Sequence, residues 1–296
     1  MVESAVIDVG GLRKSYRGVP AVRGLDLVVQ RGEIFALLGP NGAGKTTTVE
    51  MCCGFRPYDD GMVRVLGVDP AQPTAVWRSR VGIVTQQAND LADLSVREAV
   101  GAIAGCYRSP RNADDVIDAV GLAEKRDVRC VKLSGGQRRR LDVALGMVGD
   151  PELLFLDEPT TGFDPEARRQ FWGLIGSLRA SGVTIVLTTH YLDEAEHLAD
   201  RVGVIIGGRM IEVGAPGDIG GRRHARAEVR WTDVDGEHHE LTNTPTAVLI
   251  ELSTRFGGEV PNLVVARPTL EDIYVKMIEE HSDASRSEVE WAEARS

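Results

Sequence analysis

The sequence predicts an α/β fold, and three stretches predict it. Ile34-Phe35-Ala36-Leu37-Leu38 is a strand-sized apolar run, followed by the glycine-rich Gly39–Thr46 and then by Thr47-Thr48-Val49-Glu50-Met51, a plausible helix. Leu153-Leu154-Phe155-Leu156 and Val183–Thr189 are two further apolar runs of strand length. Runs of that kind fit strands buried on both faces of a parallel sheet. An antiparallel β layer, a helical insertion and a small α+β module at the C-terminal end complete the expected architecture.

Taken in order, Ala5–Val9 reads as the first strand, and Gly10-Gly11 with Lys14–Gly18 as a turn-rich connection. Val22–Val29 alternates apolar and polar residues, the pattern of a half-buried antiparallel strand. Arg31-Gly32-Glu33 turns into the Ile34–Leu38 strand, and Asp59-Asp60-Gly61 turns into a strand over Met62–Leu66. Arg80–Gln86 is a short strand ending on a polar side chain. Leu94-Ser95-Val96-Arg97-Glu98 resembles a capping box, opening a helix-rich stretch to about Val128. Arg138–Met147 is the next helix. Arg201–Ile206 and Arg209–Val213 form a hairpin turning at Gly207-Gly208.

The chain of 296 residues carries a net charge of −10, which argues against nucleic-acid binding through a broad basic surface. Cys52, Cys53, Cys106 and Cys130 show no paired or metal-binding spacing and read as small, near-core thiols in a reducing cytoplasm. Met1-Val2-Glu3-Ser4 opens acidic and polar, unlike a secretory leader. No apolar run approaches the roughly 20 residues of a membrane-spanning helix, so membrane work would need spans from another polypeptide.

Gly39-Pro40-Asn41-Gly42-Ala43-Gly44-Lys45-Thr46 fits G-x-x-x-x-G-K-[ST] between a strand and a helix. The glycines let backbone N–H groups turn inward on phosphate, and the helix N-terminus adds free donors and partial positive charge. Lys45 can reach the β- and γ-phosphates, and the Thr46 hydroxyl can face Mg²⁺. Leu153–Leu156 ends in Asp157-Glu158, acids at the strand end where parallel sheets carry their chemistry. Asp157 there can bind Mg²⁺ through water, and Glu158 can take a proton from attacking water. Gln86 can hold a Mg²⁺-bound water. Tyr16 either packs or stacks on an adenine ring. Ser134-Gly135-Gly136-Gln137 is either a plain N-cap or a second anion-binding helix start. Arg138, Arg139 and Arg140 point in different directions around their helix and read as a solvated face. His190, after Thr189, is either structural or within reach of a γ-phosphate.

In this order the pieces resemble the nucleotide-binding subunit of an ABC transporter, from about Ala5 to Gly217. Gly39–Thr46 is similar to its Walker A loop on a P-loop NTPase core, Gln86 to its Q-loop, and Leu133–Gln137 to its L-S-G-G-Q segment. Leu153–Glu158 is similar to Walker B with the catalytic Glu, Thr161-Gly162-Phe163-Asp164 to the D-loop, and His190 to the switch. Phe163 replaces a more frequent Leu, and Thr85 a frequent Pro; neither removes a catalytic group. The resemblance implies ATP and Mg²⁺. Catalytic roles fall on Glu158, His190 and Lys45. The same resemblance implies that Tyr16, Gly39–Thr47, Gln86, Ser134–Gln137 and Asp164 contact ATP, and that Thr46, Gln86 and Asp157 hold the metal.

Ala225–Val265 followed by Arg267-Pro268-Thr269-Leu270-Glu271-Asp272-Ile273-Tyr274 resembles the C-terminal domain of drug-exporter ATPases of the daunorubicin-resistance type. The implied division is an ATPase domain over 1–220, with a helical subdomain over about 87–150, an accessory domain over 221–282 and a loose tail over 283–296. Two such subunits would pair head to tail as a homodimer at the cytoplasmic face of a membrane, driving export through a separate permease. The alternatives are an import-type subunit and a soluble ABC ATPase working on nucleic acid. The C-terminal module favours export, and the acidic balance disfavours nucleic acid.

Overall fold

The computed structural model describes residues 5–85 and 91–293, with side chains through residue 281. Two compact units divide the chain, between Val213 and Gly214 rather than after residue 220. The break falls where Gly214-Ala215-Pro216-Gly217 interrupts the apolar pattern.

The first unit opens with β1 (Ala5–Tyr16) and β2 (Val19–Gln30), a long antiparallel hairpin. β1 runs past the turn expected from Gly10-Gly11. That pair is absorbed as a bulge, with register shifts between Val9 and Leu12 and a positive φ of 60° at Gly11. The reversal sits instead at Arg17 and Gly18, both at positive φ. β3 (Ile34–Leu38) is buried throughout and delivers the chain to α1 (Lys45–Cys52). β4 (Asp60–Val65) then pairs with β1, closing a three-stranded antiparallel sheet in the order β2-β1-β4. α2 (Ala75–Ser79) is capped by Thr74, and its Trp77 donates Nε1–H to Val65 O at 2.8 Å, which ties this helix to β4. β5 (Val81–Val84) follows.

The helical stretch contains α3 (Val96–Ala104) and α4 (Ala113–Ala119). Ser95 and Glu98 form the expected capping box, and Asn112 caps α4. α5 (Gly135–Met147) packs against both helices and against β5. β6 (Leu153–Asp157), α6 (Pro165–Ala180), β7 (Thr184–Thr189), α7 (Leu192–Leu198), β8 (Arg201–Ile206) and β9 (Arg209–Gly214) complete the run. The second sheet has the order β5-β6-β7-β3-β8-β9, with β3 parallel to both β7 and β8. β3 is thus central, and the loops after β3, β6 and β7 emerge side by side at one edge. In open α/β sheets that edge is where ligands bind. The apolar runs end up buried as their composition requires: Phe35 and Phe155 are among the largest fully buried side chains, joined by Phe171 of α6.

The second unit is a three-stranded antiparallel sheet of β10 (Ala227–Asp233), β11 (Gly236–Thr242) and β12 (Val264–Ala266), in the order β11-β10-β12. α8 (Pro245–Phe256) starts on Pro and stops at Gly257 in a left-handed conformation. Leu252 of α8 joins Val229, Trp231 and Val260 in a small separate core. α9 (Leu270–Glu293) is started by Thr269 and Asp272, which cap one another reciprocally. The Pro268–Tyr274 segment is therefore a helix start, burying Leu270 and Tyr274. The backbone stays helical through Glu293, where the sequence reading placed a loose tail; residues 270–296 contain neither Gly nor Pro to stop it.

Candidate active site

The loop after β3 is built by close approach. A Cβ on Gly39 would lie 2.4 Å from Ile205 O, and Gly44, at φ 102°, would place one 2.6 Å from Ala21 O. Neither position tolerates a side chain, so the loop passes close against the Ile205 and Ala21 backbone. Asn41, Gly42, Gly44, Lys45, Thr46 and Thr47 line a cleft of about 310 Å³ with Ala21 and Glu158. Lys45 is buried; its ammonium donates to Gly39 O at 2.7 Å and Pro40 O at 3.2 Å and stands 3.9 Å from Glu158 Oε1. Burial pushes its pKa below the usual lysine value, partly offset by Glu158 and Asp157.

Asp157 and Glu158 arrive on β6, and His190 directly follows β7. Thr46 Oγ1 donates to the Asp157 carboxylate at 3.3 and 3.4 Å, so the hydroxyl and the acid face one another across α1 and β6. Thr188 Oγ1 donates to Asp157 Oδ1 at 2.5 Å and accepts from Glu158 N at 3.0 Å. His190 Nδ1 comes within 3.3 Å of Glu158 Oε1. The His190 ring lies tilted by 38° against Tyr191, 4.1 Å between centroids, and the Arg168 guanidinium lies 4.6 Å from the Tyr191 ring centroid. Three strand ends thus gather Lys45, Thr46, Asp157, Glu158 and His190. No group of three or more His, Cys, Asp or Glu forms a metal cluster among the described residues. The Thr46 hydroxyl and Asp157 carboxylate are instead a hard-oxygen pair, the sparse protein set that suits Mg²⁺ shared with phosphates.

Other expected residues stand apart. Tyr16 ends β1, 36 % exposed, with the Arg56 guanidinium 5.1 Å and Lys14 Nζ 5.8 Å from its ring centroid. Ser134 caps α5: its hydroxyl accepts from Gln137 N, and Gln137 Oε1 accepts from Ser134 N at 3.1 Å. Asp164 caps α6, accepting from Glu166 N and Ala167 N. Gln86 lies outside the described residues. Cys52, Cys53 and Cys130 are buried, while Cys106 is exposed.

One reading is overturned. Arg139 is not on a solvated face: it is 8 % exposed and donates to Thr85 O, Asp157 O and Pro159 O. A neighbouring Asp142 oxygen lies 3.9 Å from its guanidinium. The reason is position on the helix, since α5 packs on β5 and buries one side of the Arg138–Arg140 run. Thr188 was also missed, although a Thr-Thr-His at a strand end offers the hydroxyls that acids at a neighbouring strand end need.

Residues 22–161 match the family described as ABC transporter. The chain is 44 % identical over 218 residues to the daunorubicin/doxorubicin resistance ATP-binding protein DrrA of Streptomyces peucetius, covering 72 % of this chain and 66 % of that one. It is 37 % identical over 298 residues to the Nod factor export ATP-binding protein I of Rhizobium meliloti (strain 1021), covering 93 % and 88 %. Among solved structures it is similar to cbiO1 from Clostridium perfringens, part of the ABC transporter complex cbiONQ, at 28 % identity and a TM-score of 0.66 over 73 % of this chain and 91 % of that one.

Proposed function

The chain belongs to the ABC transporter family, and we propose that it is the ATP-hydrolysing subunit that powers export of a drug or other hydrophobic compound through a separate membrane permease. The observation that carries the chemical part is the convergence of Lys45, Thr46, Asp157, Glu158 and His190 at three neighbouring strand ends. Export rests on the names of the relatives, one for drug resistance and one for Nod factor export. No described helix is long and apolar enough to cross a membrane, so the spans and the choice of substrate fall to the permease. The subunit then works on the cytoplasmic face.

In this reading the Gly39–Thr46 loop grips the triphosphate, with Lys45 on its β- and γ-phosphates. A bound Mg²⁺, held through Thr46 and Asp157 with Gln86, would neutralise charge on the transferring phosphoryl group. Glu158 orients or deprotonates the attacking water, and His190, 3.3 Å from it, contacts the γ-phosphate. Ser134–Gln137 offers a second helix N-terminus, and one chain has one copy of each half. Two chains paired head to tail would place each loop against the partner's Ser134 segment, giving two equivalent sites.

Glu158→Gln tests the assignment. Removing a general base lowers turnover by about 10²–10⁴-fold, while a glutamine of the same shape leaves ATP binding intact. Steady-state hydrolysis beside equilibrium ATP binding reads both, and near-normal turnover in this variant sinks the assignment.

A further inference from the structure

Of the three successive arginines on α5, Arg139 alone sends its whole guanidinium into backbone. Nη1 donates to Thr85 O at 2.6 Å, Nη2 to Asp157 O at 2.6 Å and Nε to Pro159 O at 3.1 Å. Two of those carbonyls belong to the residues on either side of Glu158. Glu158 has a φ of 44°, in the left-handed region that a side chain makes unfavourable. Such a conformation persists only where its surroundings over-determine it. From β7 the Glu158 N–H is held by Thr188 Oγ1 at 3.0 Å and Thr188 O at 3.2 Å. From α5 the two flanking carbonyls are held by Arg139. The peptide that aims this carboxylate is gripped from two elements.

We propose that Arg139 is a positioning residue for ATP hydrolysis, fixing the strained backbone that aims Glu158 and doing so from the helix that Ser134 begins. The role rests on the reading of Glu158 as the general base. A planar fork with donors at fixed angles matches three carbonyls at once; a lysine point charge cannot span them, and an apolar side chain leaves all three without this partner. The fork also leaves from the second turn of α5. The seat of that helix and the aim of Glu158 are therefore one mechanical unit, within a single chain.

Four proteins decide it: wild type, Arg139→Met, Glu158→Gln and the double variant, each measured for equilibrium binding of a fluorescent ATP analogue and for steady-state hydrolysis with Mg²⁺. Arg139→Met should lower kcat by about 10²-fold, the loss expected from a catalytic group displaced by an ångström, with ATP affinity little changed. In the Glu158→Gln background the same substitution should cost no further rate, because the aimed carboxylate is already gone. Arg139→Lys keeps the buried charge and should lose less rate at the same affinity; it carries the comparison, alone and with Glu158→Gln, if the Met variant does not fold. Near-wild-type turnover of both Arg139 variants, a parallel fall in ATP affinity, or losses that multiply in the double variant would each overturn the role. A Glu158→Gln protein that hydrolyses at the wild-type rate would remove the general-base reading itself, and this role with it.

Discussion

The Thr188 hydroxyl donates to Asp157 Oδ1 at 2.5 Å and accepts from Glu158 N at 3.0 Å, so one buried oxygen serves both acids. Thr188→Val keeps the shape and deletes both bonds. Glu158 N keeps the Thr188 carbonyl at 3.2 Å, so the loss falls on the Asp157 carboxylate; a hydrogen bond to a charged group is worth about 1.5–3 kcal/mol, which predicts a loss of turnover of about 10- to 10²-fold where the site bears it. Because the Asp157 carboxylate also loses the donor that fixes its rotamer, the Mg²⁺ concentration for half-maximal hydrolysis should rise. A Mg²⁺ titration of the ATPase checks this, and an unchanged titration with unchanged kcat would leave the hydroxyl a packing group. The places of Asp157, Glu158 and His190 at or just past strand ends, and of Lys45 at the head of α1, were legible because each sits in a short local pattern. Thr188 and Arg139 were not, since their roles depend on partners 30 or more residues away, or on which side of α5 meets β5.

Glu152 leads into β6 and joins three pieces of chain. It accepts from Arg31 Nη1 at 2.8 Å, in the turn before β3, and from Arg80 Nε, at the entry to β5. Its backbone N–H donates to Arg80 O, and its carbonyl accepts from Thr184 N. The Arg80 guanidinium, then burial working against it and the Arg31 bond working with it, leave the Glu152 carboxyl held down to about 2, against an ordinary 4.5. A folded-state pKa below the unfolded value means stability that is present above about 4.5 and lost as pH falls toward about 2. Glu152→Gln should therefore lower Tm at pH 7, and the gap to wild type should close on acidification. The carboxylate is partly exposed, so the pair is worth at most about 1 kcal/mol, or roughly 2–4 °C in a unit of this size. A gap that is constant from pH 7 to pH 3 in thermal melts would show that the charge is not what stabilises this corner. The buried strands entering here could be read from the sequence, because unbroken apolar runs have few other solutions. The length of β1 could not: Gly10-Gly11 has the composition of a turn, and only pairing on both sides by β2 and β4 makes it a bulge.

At the scale of the molecule, the proposed head-to-tail pairing makes the site a property of two chains, each giving one Gly39–Thr46 loop and one Ser134–Gln137 helix start. The capping geometry leaves Gly135 open, with nothing within 4 Å of where a Cβ would stand. Gly135→Asp should fold normally, because an acid in the first helical turn favours the helix. It sets a negative charge where the partner's triphosphate would dock, so the variant alone should bind ATP and fail to hydrolyse it. Lys45→Ala alone should fail through its own loop, with nucleotide affinity lost. Mixed together, each chain supplies what the other lacks at one of two sites. Random pairing makes half the dimers mixed, each with one intact site, so the mixture should regain about a quarter of wild-type turnover if the sites work independently. Neither a monomer nor a dimer whose sites lie within single chains can regain anything on mixing. An assay of the two variants, separate and then combined at equal concentration with ATP and Mg²⁺, distinguishes these, and no recovery would end the head-to-tail arrangement. Partial recovery below a quarter, with mixed dimers confirmed by co-purifying one variant through a tag on the other, would mean that a single intact site turns over more slowly without its twin.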